Sequence, residues 1–408
     1  GGVWRRFFFL ALLVLIVGTA ARAEESRYSP VVAELKQRYT EDPAFALLLD
    51  KALAGAAIPP DGWAADPRDG RKIFNWKEKK SEDLFDFFES WLHFVPGPTN
   101  GMAYYELLYG LCYENESALR FVETEPGLSW TRKFVLARGS YMDSPASIEE
   151  HKAVMEAWFD AMGARWEDFQ PPHQENEGYK GYKTFNEFFT REIKPGKRPV
   201  AYPEDAGVLA APADGLTNVV NANLGTDSRI HTKYDEYLNI EQLLGRSEFS
   251  KYFLGGTAVS TVLLPPDYHH YHSPVDGMIV ESKEVDTAGL YFGMDGGFFD
   301  YVNNGNVGGY RAKYGIFGQY HRGYFIIKTE RFGYVAMIPI GLDDISSVKF
   351  EPKYRDLTPE TPVSVKKGDK LGHFAYGGST VMLLFEPGVY SGMKVRQGNQ
   401  IGVLNSGK

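Results

Sequence analysis

The stretch Gly377-Gly378-Ser379-Thr380-Val381-Met382-Leu383-Leu384-Phe385 sets a small, hydroxyl-bearing turn directly before an apolar run that reads as a strand over Thr380–Phe385. Glycine before a serine leaves the attacked carbonyl unshielded and allows backbone conformations other residues avoid. At a strained Gly-Ser bond the hydroxyl can attack that carbonyl, and the amide becomes an ester by an N→O acyl shift. Elimination across Cα–Cβ of the serine then breaks the ester and leaves a dehydroalanine, which hydrolyses to a pyruvoyl group. The same four residues also fit an ordinary turn between two strands, and alone they favour that plainer reading.

Two segments upstream change the balance. Asp267-Tyr268-His269-His270-Tyr271-His272-Ser273-Pro274 holds three of the nine histidines. Strand alternation predicts His270 and His272 on one face and His269 on the other. A serine hydroxyl needs a base to become a nucleophile, and imidazole is the side chain whose pKa suits that near neutrality. The segment Ala211-Pro212-Ala213-Asp214-Gly215 places a carboxylate in a Pro/Gly-bounded turn, from which it can orient an imidazole and stabilise its protonated form. Asp276, in the echoing segment Ser273-Pro274-Val275-Asp276-Gly277, is the alternative carboxylate, although Asp before Gly is common turn chemistry. A metal site at the histidines is disfavoured because no carboxylate or Cys sits at familiar zinc spacing.

Working outward, strand-like runs cover Val208–Ala211, Val259–Leu264, Gly277–Ser282, Tyr324–Thr329 and Tyr334–Ile340, separated by Gly and Pro turns. Before about residue 168 the apolar spacing is helical, over Val31–Leu53, Asp83–Phe94, Ala103–Val122 and Ile148–Trp166. A polar stretch around Pro171–Tyr179 marks a boundary. The expected fold is α+β, a helical N-terminal extension at 24–170 followed by a mainly antiparallel β domain at 171–408. Residues 1–23 read as a signal peptide: Arg5-Arg6, the apolar run Phe7–Val17 and the small-x-small site Ala21-Arg22-Ala23. A cleaved signal implies a secreted, periplasmic or secretory-pathway protein; an uncleaved membrane anchor is the alternative.

With 408 residues and 43% hydrophobic content the chain can bury a sizeable core. A net charge of −9 argues against nucleic acid as a partner and against broad adhesion to anionic lipid. The single cysteine, Cys112, excludes an intrachain disulfide and reads as a small buried hydrophobe.

From about Thr184 to Lys408 the chain resembles the phosphatidylserine decarboxylase proenzyme family. The motifs, in order, are Phe185-Asn186-Glu187-Phe188-Phe189-Thr190-Arg191, the Asp214 turn, Asp267–His272 through Gly277, the Lys367-Gly368-Asp369 turn and Gly377-Gly378-Ser379-Thr380. The resemblance implies an autocatalytic triad of Asp214, His272 and Ser379 and a cut between Gly378 and Ser379. It implies a small chain Ser379–Lys408 carrying a self-generated pyruvoyl cofactor made from Ser379, with no external cofactor and no metal. His269 matches the family histidine thought to move a proton during decarboxylation. Implied partners are a phospholipid or amino-acid substrate and the two chains of one precursor, with a homodimer and peripheral membrane contact as further expectations.

Some features depart from the pattern. Ile340-Gly341-Leu342-Asp343-Asp344-Ile345-Ser346-Ser347 replaces a segment of different composition, and the Gly/aromatic stretch Tyr291–Tyr320 is long. With the N-terminal extension, these look similar to a branch whose members include a decarboxylase of free tryptophan. Phosphatidylserine is the first expectation for the substrate and a free aromatic amino acid the second. A non-catalytic secreted binding protein is the third class, disfavoured by the intact Asp214, His272 and Ser379. For a phospholipid enzyme, Phe85, Phe87, Phe88, Trp91 and Phe94 are the best candidates for a membrane-facing surface, with a buried helix as the plainer reading.

Overall fold

A computed structural model describes residues 27–59, 62–221, 223–225, 229–231, 237–285, 321–342, 348–376 and 378–404. The expected signal peptide, the stretch Tyr291–Tyr320 and most of the departure at 340–347 lie outside the described residues.

The helical part comprises α1 (Pro30–Glu41), α2 (Pro43–Ala54), α3 (Ser81–Leu92), α4 (Ala103–Cys112), α5 (Glu116–Glu123), α6 (Gly127–Met142) and α7 (Lys152–Met162). Two helices expected to be continuous are broken for visible reasons. Asp42 caps α2, accepting from the backbone N–H of Ala44 and Phe45 at 3.0 and 3.1 Å, with Pro43 at the first helical position. Asn115 divides α4 from α5: its Oδ1 accepts from Ala118 N–H, while its Nδ2 donates to Ala52 O and Leu111 O at 2.7 and 2.8 Å. A short helix, α8 (Phe185–Phe189), follows.

The β part holds β1 (Leu216–Asn221), β2 (Thr257–Leu263), β3 (His270–His272), β4 (Gly277–Val285), β5 (Arg322–Lys328), β6 (Tyr334–Leu342), β7 (Val348–Phe350), β8 (Val363–Val365), β9 (Lys370–Phe374) and β10 (Gly378–Phe385). A seven-stranded sheet runs β8-β4-β5-β6-β10-β2-β1 and a three-stranded sheet runs β7-β9-β3; every pairing in both is antiparallel. The expected α+β class is the observed one. Val208–Ala211, expected as a strand, is irregular. Its backbone is occupied otherwise, with Ala210 N–H donating to Pro274 O at 3.1 Å.

Side-chain alternation sorts the large sheet into two faces. Ala336, Ile338 and Ile340 of β6 and Met382 and Leu384 of β10 join the core cluster of α1–α6. Val335, Met337, Val381, Leu383 and Phe385 join the second cluster, with Tyr271, Leu371 and Phe374 of the three-stranded sheet. A third cluster carries Met155, Trp158 and Phe159 of α7 together with Phe185, Phe188, Phe189, Tyr268 and Tyr376. Phe85, Phe87, Phe88 and Trp91 are 0–1% exposed in the first cluster, so they form no membrane-facing surface. Among the described residues no helix is long and apolar enough to cross a membrane. Cys112 is buried, and burial pushes its thiol well above the ordinary range.

Candidate active site

Ser379 is the second residue of β10, an interior strand, opposite Gly341 of β6 and Leu263 of β2. By alternation it shares the face of Val381 and Leu383, toward the three-stranded sheet. It is fully buried, and its Oγ has no hydrogen-bond partner among the described residues. Such a hydroxyl is costly to keep unless the site uses it.

The chain leaving β2 beside Ser379 reverses at once. Asp267 closes the turn, its Oδ2 accepting from Leu264 N–H at 2.6 Å and its own N–H donating to Leu264 O at 2.9 Å. Tyr268 to His272 follow, so one tight turn separates the histidine segment from Leu263, the residue of β2 that pairs with Ser379. Tyr271 points into the second core cluster, which turns His270 and His272 to the opposite face of β3. There both meet Tyr268: its ring stacks on His270 at 4.7 Å and 4°, and its hydroxyl lies 3.1 Å from His272 Nε2.

Each imidazole has an assignable tautomer, because a carbonyl can only accept. His272 Nδ1–H donates to Gly368 O at 2.8 Å, so Nε2 is the acceptor facing the Tyr268 hydroxyl. His269 Nδ1–H donates to Asp267 O at 2.7 Å, and its ring lies on Phe189 with centroids 4.1 Å apart. His270 Nε2–H donates to Thr190 O at 2.8 Å. Burial lowers the pKa of His272 and pushes that of His270 down to about 4. His272 is therefore a neutral base at neutral pH.

The Asp214 turn reaches the site through the backbone, since His272 N–H donates to Pro212 O at 2.7 Å. Gly215, at φ +151°, is required there: a Cβ would stand 2.3 Å from Val262 O of β2. The Asp214 carboxylate itself pairs with Arg198, Nη2 to Oδ2 at 2.8 Å and Nε to Oδ1 at 3.2 Å. The expected orienting bond from Asp214 to His272 Nδ1 is thus replaced by the Gly368 carbonyl, and Asp214 acts on His272 only as a weak distant charge favouring the protonated ring. Asp276 takes the turn role, its Oδ1 accepting from Lys367 N–H at 2.9 Å. That turn is pinned from within by Lys367, whose buried ammonium donates to Tyr202 O, Asp205 O and Val208 O at 2.7–2.9 Å.

Sequence reasoning assigned no role to Tyr268, Phe189, Gly368 or Arg191, although all four stood inside quoted motifs. Arg191 is buried between the rings of Phe169 and Phe188 and donates through Nη2 to Pro266 O at 2.7 Å and Asp267 O at 3.2 Å. It holds the carbonyl that fixes the His269 tautomer. Burial lowers its pKa to about 10, which leaves it charged.

Residues 185–403 match the family model described as phosphatidylserine decarboxylase, a span that contains Asp214, His269, His272 and Ser379. The chain belongs to that family. It is similar to phosphatidylserine decarboxylase proenzyme 3 of Schizosaccharomyces pombe, 33% identical over 260 residues, covering 64% of this chain and 24% of that protein. The phosphatidylserine decarboxylase proenzyme of Fusobacterium nucleatum subsp. nucleatum is 31% identical over 278 residues, covering 66% of this chain and 81% of that protein. Phosphatidylserine decarboxylase proenzyme 2 of Oryza sativa subsp. japonica is 31% identical over 250 residues, covering 61% and 35%. The chain thus spans about a quarter of the yeast relative and a third of the rice one, and most of the bacterial one.

Proposed function

We propose that the chain is the precursor of a pyruvoyl-dependent carboxy-lyase that decarboxylates phosphatidylserine to phosphatidylethanolamine. The observation that carries this reading is the buried Ser379 Oγ at the head of an interior strand, without a hydrogen-bond partner among the described residues and paired with Leu263, one tight turn of chain before the segment that bears neutral imidazoles. His272 takes the Ser379 proton as Oγ attacks the Gly378 carbonyl, and the amide becomes an ester with the amine of Ser379 released. Loss of the Ser379 α-proton and of the Gly378 carboxylate gives dehydroalanine. Water then adds and ammonia leaves. The resulting ketone supplies an electron sink for loss of CO2 from a substrate amine. Ser379 fits the origin of that group, since its buried hydroxyl, like that of Thr380 beside it, has no hydrogen-bond partner among the described residues, and it is Ser379 that directly follows the glycine carbonyl to be attacked.

In the second stage His269, fixed by the Asp267 carbonyl and Phe189, is the group proposed to return a proton to the substrate carbon. Asp214 is proposed to support His272 by charge, after giving up Arg198 or alongside it. The free amino-acid substrate keeps only its sequence argument: of the features that suggest it, Tyr291–Tyr320 and most of 340–347 lie outside the described residues, and the N-terminal extension carries no feature specific to an amino acid.

An intact-mass spectrum tests the maturation: two chains are expected, the smaller being 379–408 with a blocked first residue. His272→Ala should leave one uncut chain, whereas His269→Ala should be cut and yet slow in releasing CO2. A wild-type chain that stays whole and inactive overturns the reading. CO2 release from free tryptophan but not from phosphatidylserine vesicles overturns the substrate alone.

A further inference from the structure

We infer that Arg138, in the helical extension outside the span of the family model, is a positioning residue for the cut between Gly378 and Ser379, acting through Tyr376. The inference rests on the self-cleavage proposed above.

The bond to be cut lies at the first pairing of β10, and the described chain just before it ends at Tyr376. Strand β9 ends at Phe374, β10 begins with Gly378 paired to Leu342, and residues 377 and 378 have no side chains. The nearest anchor on the upstream side is the ring of Tyr376. Phe185 and Phe189 meet it edge-on at 5.7 Å and 5.1 Å, and Phe189 in turn lies on His269 at 4.1 Å. The remaining walls come from the N-terminal part of the chain, from α6 and from the connection between α3 and α4. Tyr376 shares a buried cluster with Val95 and Met142, and a Cβ on Gly101 would stand 3.8 Å from its hydroxyl. The guanidinium of Arg138 lies over its ring, 5.9 Å from the centroid.

Arg138 is an unexpected residue at this place. It continues the buried stripe Trp130, Phe134 and Met142 on α6, and is itself 1% exposed. A charge so placed needs polar partners. Nη1 donates to the carbonyls of Trp91 and Phe94, the latter at 2.9 Å. These carbonyls lie at the end of α3, where helical acceptors run out of partners. Arg138 therefore ties the end of one helix and the body of another to the ring two residues before Gly378. An apolar residue would fill the stripe without making that tie.

The test follows self-cleavage in time by cell-free synthesis, scored per folded chain, with the melting temperature of each variant measured alongside. Arg138→Met and Tyr376→Leu should each slow cutting about tenfold or more, since small misplacement of a reacting group costs that much. Combined, they should be no slower than either alone, because they act as one unit. Tyr376→Phe, which keeps the ring, should cut at the wild-type rate. Trp130→Phe, in the same helical layer, should lower the melting temperature without slowing the folded chain. Wild-type cutting by folded Arg138→Met, additive effects, or equal slowing by Trp130→Phe overturns the inference. Should Arg138→Met not fold, the comparison of Tyr376→Leu with Tyr376→Phe decides alone, equal rates overturning it. Cutting of Ser379→Ala would instead overturn the proposed reading of the site.

Discussion

The hydroxyl of Ser379 should cost the precursor stability, and removing it should return that cost. The measurement needs a background in which neither protein is cut, so the pair to compare is His272→Ala and His272→Ala with Ser379→Ala. Ser379 is fully buried and its Oγ has no partner among the described residues. Leaving a buried hydroxyl unpaired costs about 1–3 kcal/mol. The alanine leaves a void of less than one methyl group, which offsets a fraction of the gain. The double variant should therefore be more stable by about 1–2 kcal/mol, a factor of roughly 5–30 in the folding equilibrium. Urea unfolding followed by tryptophan fluorescence reads this directly, as a higher midpoint at unchanged slope. A double variant less stable than its parent would show that the hydroxyl is well bonded, and the idea of a side chain held ready for attack would go with it.

Two further outcomes follow. Tyr268→Phe removes the hydroxyl facing His272 Nε2 at 3.1 Å, a bond that would have to be given up for Nε2 to accept the Ser379 proton as proposed. Self-cleavage should speed up about fivefold, for a bond of about 1 kcal/mol; slower cutting in a time course would mean that the phenol aids the base rather than occupying it. Acid should also loosen the fold. Burial holds His270 near 4 and lowers His272 and His373, while an unfolded histidine titrates near about 6.5. Between those values the unfolded chain binds protons that the folded chain refuses, so stability is full above about pH 6.5 and falls as the pH drops toward 4. His270 alone accounts for about 3 kcal/mol of that loss. Urea midpoints at pH 7 and 4.5 should differ less in His270→Gln than in wild type, and an equal difference in both would refute the assignment.

The readable parts of the sequence were those governed by local periodicity. Thr380–Phe385, Val259–Leu264 and Tyr334–Ile340 were legible as strands because each is a short apolar run between turn residues. Helix α6 was not legible. Its buried stripe contains Arg138 and Thr131, and Gly127 and Gly139 lie within it, so neither hydropathy nor propensity marks it. The site was legible as residue types and not as bonds. Ser379, His269, His272 and Asp214 lie on segments that register and backbone pairing draw together. What holds His272 Nδ1 is a glycine carbonyl at Gly368, and backbone groups leave no signature in side-chain identity. Asp214 shows the same limit from the other side, since nothing in its own turn points to Arg198, sixteen residues earlier.

The placement of β10 inside the large sheet has a consequence for the lifetime of the two-chain product that the proposed cut would leave. A chain beginning at Ser379 would be bound along its strand by β6 on one edge and β2 on the other, so a cut at its head releases nothing. The precursor folds as one molecule, at a rate indifferent to dilution. The cut product, once unfolded, must find its partner chain again by collision, and the bond that first joined them cannot be remade. Maturation would thus turn a reversible folder into an assembly made once, whose working life is set by how slowly an interior strand can be pulled from its neighbours.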